Sequence, residues 1–179
     1  MTLLVAMIML ILLTLLAMMS FNIGRSSLQI VGNMQSRAQA VNAAQGALEL
    51  TLSSTRFIKT PQNAIPNPCN GIANTTCASV AGSGRQDITV ALTPAPACIA
   101  VKAIKNASLD LTQADDAGCA IGASQSFGVA GTSSADSLCS DSVWNLTALA
   151  TDAVTQTKAV VNQGASVRVA VDDIATSCP

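Results

Sequence analysis

The side chains best suited to chemistry are six cysteines, and the residue that most often activates a cysteine is missing. The chain contains no histidine, which removes the usual general base, the Ser-His and Cys-His nucleophile pairs, and the commonest metal ligand. The cysteines form no C-x-x-C pair, so their spacing does not favour a zinc site. An even number of widely spaced cysteines instead predicts disulfides formed in an oxidising compartment. They are Cys69, Cys77, Cys98, Cys119, Cys139 and Cys178.

Sequence alone does not fix how six cysteines pair, because many pairings are possible. Short local loops suit a loop-rich domain, and a bond to the last cysteine would hold the C-terminus in place. We therefore expect the bonds Cys69–Cys77, Cys98–Cys119 and Cys139–Cys178.

The other candidate sites are weak. Two pairs of adjacent carboxylates, Asp115-Asp116 and Asp172-Asp173, lack the alternating oxygen ligands that calcium requires, so we expect solvated turns or strand ends. Three asparagines match the N-x-[ST] acceptor pattern, which is common by chance. The sequence therefore predicts no catalytic, cofactor-binding or metal-binding residue, and no enzyme. The three asparagines are Asn74, Asn106 and Asn145.

Composition excludes several classes of partner. The 179 residues carry 9 basic and 10 acidic side chains, a net charge of −1, and 50% of the residues are hydrophobic. A balanced charge does not suit a polyanion-binding protein, so nucleic acid is not expected as a main partner. Aromatic residues make up 2% of the chain, too few to stack bases or sugars.

Apolar residues are concentrated at the N-terminus. From Leu3 to Met19 the run is interrupted only by Thr14, and the first charged residue is Arg25. A helix of about 20 residues is about 30 Å long, which matches the hydrocarbon core of a bilayer. A signal peptide, a signal anchor and the start of a processed membrane protein are all compatible with such a run. A retained spanning helix is favoured, because no basic residue precedes the run and no small-x-small cleavage site follows it.

Two features of the sequence make opposite predictions for the orientation of this helix in the membrane. Arg25 and Arg37 follow the span, and the positive-inside rule alone would place the rest of the chain in the cytoplasm. The cysteines require an oxidising compartment for the same part of the chain. Both signals agree if a short basic leader preceded Met1 and was removed on the cytoplasmic side.

The helical pattern continues past the apolar run. No proline occurs between Ser20 and Ser54, and apolar residues recur at helical spacing, which predicts one helix over about residues 1–53. We divide it into a hydrophobic transmembrane or filament-core part, 1–20, and an amphipathic continuation, 21–54. The predicted apolar stripe is Phe21, Leu28, Val31, Met34, Ala38, Val41, Leu48 and Leu52.

The remainder, 55–179, is expected to be a disulfide-linked, β-rich globular head. Strands are predicted over 87–92, 98–104, 143–150 and 165–171, with Trp144 on a buried face. The stretch 118–142 is rich in Gly, Ser, Ala and Asp and is predicted to be a long loop containing at most short elements. The fold class is therefore α+β, a long N-terminal helix packed on a small antiparallel sheet.

Three stretches of the N-terminal half resemble type IV pilins, and more narrowly the PilX-like pilins. They are MTLLVAMIMLILLTLLA at 1–17, SLQIVGN at 27–33 and QAVNAAQGALE at 39–49. The alternating segment from Trp144 to Ala150 is similar to the C-terminal hairpin of that group. The resemblance covers about the first 50 residues. Its specificity comes from the combination of the three stretches rather than from any one of them.

The resemblance implies a structural subunit that assembles through its hydrophobic helix into a surface filament, a type IV pilus. It implies a leader removed by a prepilin peptidase, N-methylation at Met1, storage in a bacterial inner membrane, and export by the pilus assembly machinery into an extracellular homo-oligomer. The residues expected to pack in the filament core are Leu3, Leu4, Val5, Met7, Ile8, Leu10, Ile11, Leu12, Leu15 and Leu16.

Three other assignments stay open. Pilins generally carry a glutamate where this chain has Val5, and PilX-like pilins and tip-type pseudopilins often lack it. A minor or tip pilin and a type II secretion pseudopilin are therefore alternatives. An alternative of another class is a membrane-anchored periplasmic binding domain, although a simple anchor does not require 30 or so further residues of amphipathic helix.

Overall fold

The computed structural model describes residues 2–79, 87–120 and 136–178. Its first element is the long helix α1, Thr2–Leu52, which confirms the helix predicted over about residues 1–53. The helix is unbroken because the segment holds no proline and consists largely of residues with good helix propensity. A short helix α2, Arg56–Lys59, follows it after a three-residue turn.

The head is built on one sheet of five antiparallel strands. The long strand β4 lies at its centre. Strand β5 pairs with one edge of β4, from Cys139 to Thr151, while β3 and β2 share the other edge and β1 pairs with β2. The strands are β1 Thr75–Ala78, β2 Ile88–Leu92, β3 Ala97–Lys105, β4 Asp136–Asp152 and β5 Lys158–Ala170.

Short helical pieces connect or follow the strands. The α-helical ones are α3, Ala114–Ala117, and α4, Ile174–Ser177, each a single turn. Single 3-10 turns lie at Pro61–Asn63, Cys69–Gly71, Asn106–Ser108 and Val171–Asp173.

The core lies between the last four turns of α1 and one face of the sheet. Alternate residues of β4 point into it, and Trp144, the largest of them, is 1% exposed. The Phe57 ring on α2 packs edge-on against the Trp144 ring, with centroids 5.5 Å apart. The indole Nε1–H donates to Ser142 Oγ at 3.0 Å, and that hydroxyl donates to the Val167 carbonyl on β5 at 2.9 Å. The buried indole therefore has its hydrogen-bond partner, as the predicted inward orientation of Trp144 requires.

The predicted apolar stripe of α1 is only partly the face that packs on the head. Of that stripe, Leu48 is buried and Val41 and Leu52 pack against the core, but Leu28, Val31, Met34 and Ala38 are exposed. Small residues form most of the packed face, because a helix that approaches a sheet closely leaves room only for short side chains. The buried residues of α1 are Ala40, Ala44, Ala47, Leu48 and Thr51.

The four predicted strands are all present, β3 is slightly longer than expected, and β4 and β5 are much longer; β1 was not predicted. β5 begins at Lys158 rather than Ala165, and β4 begins at Asp136 rather than Val143. The expected loop over 118–142 is therefore wrong for residues 136–142, which belong to β4 and of which 140–142 pair with both β3 and β5. Two paired neighbours satisfy the backbone of this Ser- and Asp-containing segment, and that pairing outweighs its weak strand propensity. The other part of that prediction, 121–135, lies outside the described residues.

Candidate functional site

The uncovered part of α1 is the first candidate functional surface. By length and composition α1 can cross a membrane, and none of its most apolar 18-residue window is buried within the protein. The single polar residue of the run, Thr14, donates its hydroxyl to the Ile11 carbonyl at 2.8 Å, so its polar group is satisfied within the helix. This surface requires lipid or other apolar partners, because exposure of so many large side chains to water is costly.

All of the residues expected to pack in a filament core lie on this surface. Met1, the expected methylation site, lies outside the described residues. The exposed residues are Leu3, Leu4, Val5, Met7, Ile8, Leu10, Ile11, Leu12, Leu15 and Leu16.

The disulfides are the second candidate feature, and they correct the expected pairing. Cys69–Cys77 is present, as predicted, with Cα atoms 5.2 Å apart. The expected Cys98–Cys119 and Cys139–Cys178 bonds are wrong, since the bonds are Cys98–Cys178 and Cys119–Cys139.

The length of β4 explains the difference. Because β4 begins at Asp136, Cys139 lies within the strand, and the segment after α3 runs beside it. The Leu138 N–H donates to the Cys119 carbonyl at 3.2 Å, which brings Cys119 next to Cys139. Cys98 therefore pairs with Cys178. The expected loop over 118–142 would not have indicated this pairing.

The Cys98–Cys178 bond connects opposite edges of β4. The chain leaves the sheet at the end of β5, on one side of β4, and is bonded at Cys178 to β3, on the other side. Cys98 lies opposite Trp144 and packs against the core. The bond therefore fixes the C-terminal segment across the sheet.

A charged cluster holds α3 against the sheet. Arg168 on β5 forms ion pairs with Asp116 on α3 and with Asp141 on β4, the latter at 3.4 Å. The second Asp116 oxygen accepts the Asp110 N–H at 2.8 Å. The expectation that Asp115-Asp116 forms a solvated turn is thus wrong for Asp116, which is buried against Arg168. No local pattern predicts this pair, because Asp116 and Arg168 are 52 residues apart.

Two carboxylates have lowered pKa values for reasons visible in the structure. The Thr112 hydroxyl and then the Thr112 N–H donate to Asp110, and these bonds lower the pKa of Asp110 against a small opposing effect of burial. Burial favours the neutral form of Asp152, but hydrogen bonds from Val154 and Thr155 outweigh it and keep the pKa of Asp152 below 3.8. Both groups shape turns rather than face a cleft.

Of the three N-x-[ST] asparagines, Asn74 has a structural role. Its Oδ1 accepts the Ala64 N–H at 2.7 Å and its Nδ2 donates to the Pro61 carbonyl at 2.8 Å. Its φ of 58° lies in the left-handed region, which asparagine tolerates better than most residues. The asparagine thus connects the loop after α2 to the start of β1.

Within the described residues, no group of three or more His, Cys, Asp or Glu side chains is placed to hold a metal ion. The features that stand out are therefore the uncovered helix and the disulfide-bonded head. No protein-family model, no curated protein and no solved structure matches this chain.

Proposed function

We propose that this protein is a structural subunit of a surface filament of the type IV pilus kind, assembled through α1. The observation that carries the proposal is the division of one helix into two parts. Its last turns pack on a disulfide-bonded head, and its first part, about 35 residues, presents large apolar side chains that the described head does not cover. Such a helix is stable in lipid, and outside lipid it is stable only when other copies cover it.

The resemblance of residues 1–17, 27–33 and 39–49 to PilX-like pilins supports the same proposal. The proposed sequence of events is removal of a leader by a prepilin peptidase, methylation at Met1, storage in the inner membrane, and assembly by the pilus machinery into an extracellular homo-oligomer. The proposal involves no catalytic step, no cofactor and no nucleic acid.

Val5 favours a second candidate within the same class. Without a carboxylate at this position, the helix cannot form the pairing with a neighbouring N-terminal ammonium that the pilin resemblance would supply. A minor or tip pilin, or a type II secretion pseudopilin, is the second candidate, because PilX-like pilins and tip-type pseudopilins often lack this carboxylate. A membrane-anchored periplasmic domain is the remaining alternative, because a spanning helix alone would serve as its anchor.

Intact mass and N-terminal sequencing of filaments sheared from the cell surface test the proposal. A major subunit is expected to be the abundant species, with a methylated Met1 and three disulfides. A trace amount beside another, more abundant pilin would instead indicate the minor or tip subunit. A chain that stays in the membrane fraction with an unmodified first residue would indicate the anchored domain and contradict the proposal.

A further inference from the structure

The charged residues of α1 have no partner within the described part of the protein. The helix carries two basic residues, Arg25 and Arg37, and one acidic residue, Glu49, and all three are exposed. The ion pairs of the described residues all lie in the head, at Lys105 and Arg168. If other copies cover the helix, these charges lose water and require partners on those copies.

Arg25 has the greater need for a partner. Ala40 is the first residue of α1 that is buried on the head, and Arg37 lies one turn before it, where water at the edge of the head can reach. Arg25 lies a further 12 residues along the uncovered helix. Neighbouring helices would enclose it there, and an enclosed guanidinium without a counter-charge is strongly destabilising.

We infer that Arg25 of one copy pairs with Glu49 of a second copy, and that this pair sets the axial shift between them. The inference rests on the proposed filament function. Arg25 and Glu49 are 24 residues apart, so the shift between the two parallel helices is about 36 Å at 1.5 Å per residue. Copies at the same height would instead place Arg25 beside Arg25 and Glu49 beside Glu49, which is unfavourable.

The same shift brings apolar side chains together. With a shift of 24 residues, the apolar run of one copy lies along residues 27–43 of the other. Met7 then comes level with Val31, and Thr14 with Ala38. Met7 is 63% exposed and Val31 61% exposed, so each has a large surface for the other to cover. The shift therefore accounts for the apolar side chains that follow the bilayer-length run but do not touch the head.

A groove beside Arg25 permits a close approach. Ala17, Ser20, Gly24 and Leu28 line a shallow groove of about 390 Å³ that Arg25 borders. A Cβ added at Gly24 would meet nothing within 4 Å, so the groove is open to another chain. Small residues at such a position let two helices pack closely.

The positions of Arg25 and Glu49 around the helix axis are also compatible with a filament. Residues 24 apart on an α-helix lie about 120° apart around its axis, at 3.6 residues per turn. A contact between Arg25 and Glu49 therefore joins two different faces of α1. Contacts between different faces are heterologous, and they generate open helical assemblies when the rotation does not close.

Cysteine substitution at both positions tests this geometry. In filaments of the double variant Arg25→Cys/Glu49→Cys, oxidation is expected to give a ladder of covalent oligomers on a non-reducing gel. The matched control, Arg37→Cys/Glu49→Cys, is expected to give little ladder. A ladder in the control without one in the Arg25 variant would overturn the inference and indicate a shift of about 18 Å. Filaments of the Arg25 variant that give no ladder would also overturn it.

Charge reversal provides a test that adds no cysteine. Arg25→Glu and Glu49→Arg are each expected to reduce the yield of sheared filaments at least about tenfold, because like charges would then meet in the bundle. The double variant is expected to recover most of that loss. Equal loss in the single and double variants, with membrane levels unchanged, would contradict the pair. Absence of filaments in the unmodified chain would instead contradict the proposed function.

Discussion

Two stretches of one helix differ in the size of the side chains they bury and expose. Between residues 40 and 52, α1 buries mainly alanines against the sheet. Between residues 3 and 34, it exposes leucine, isoleucine, valine and methionine, with Leu28 74% exposed. Most of the large apolar side chains of the helix are therefore ones that the described head does not bury, and Leu48 is the large residue that it does bury. The size of the α1 side chains therefore depends on what they pack against. Mainly small residues contact the sheet at close range, whereas large residues face lipid or other helices.

The largest effect is expected from a charge placed inside the apolar run. Leu10→Lys is expected to abolish stable membrane insertion, because a lysine at the bilayer centre costs roughly 2.5–3.5 kcal/mol even on insertion scales. Fractionation of cells into membrane and soluble pools measures the effect.

Leu28→Lys is the matched control, since Leu28 is also exposed but lies beyond the run. It is expected to remain in the membrane and to lose filament yield. If both variants fractionated alike, the two parts of the uncovered helix would not differ in role.

The second prediction concerns the head. Trp144→Ala is expected to destabilise the full chain by about 3–5 kcal/mol, because it removes the largest buried side chain and its contact with Phe57. Thermal unfolding of the detergent-solubilised protein measures the loss. Asn145→Ala, at the next position and on the exposed face, should shift stability by no more than about 0.5 kcal/mol.

Local patterns predicted the long helix and four of the five strands, but not β1 or the contacts between distant parts of the chain. The helix, the four strands and the inward side of Trp144 follow from periodicity, which depends on neighbours a few residues away. The disulfide pairing does not, because Cys98 and Cys178 are 80 residues apart and meet only through the order of strands in the sheet. The Arg168–Asp116 pair was missed for the same reason.

The packed face of α1 was partly predictable. The 3- and 4-residue spacing of Ala40, Ala44, Ala47 and Thr51 is visible in the sequence. The larger apolar residues give a stronger signal at the same period, and the predicted apolar stripe consists mostly of them. The sequence alone does not show which of two apolar stripes packs on the head of the same chain and which contacts lipid or another chain.

The third prediction sharpens the contrast between the two faces. Ala44→Leu is expected to cost about 1–3 kcal/mol, because three extra carbons must enter a closed helix–sheet contact. Ala38→Leu places the same side chain on an exposed site of the same helix and should be close to neutral in the isolated protein. Chemical unfolding of both variants checks the difference. Equal costs would mean that residue 38 is also packed.

The smallest effect is expected from acid. Asp152 has a pKa below 3.8 in the folded protein, so its hydrogen bonds to Val154 and Thr155 stabilise the fold above that pH and are lost as the pH falls through the lowered value. The expected contribution is a Tm decrease of roughly 2–4 °C in strong acid. In Asp152→Asn, the Tm should depend less on pH over this range. An identical acid response in both proteins would remove Asp152 as a cause.

The Cys98–Cys178 bond has a mechanical consequence. A pull applied through α1 can lengthen only the parts of the chain that lie outside covalent loops. This bond closes a loop across 80 residues, which withholds roughly 270 Å of contour length at about 3.4 Å per residue. The part of the head from Cys98 to Cys178 would therefore add no length under tension, and β3, β4 and β5 would stay covalently connected within one loop even if their hydrogen bonds were broken.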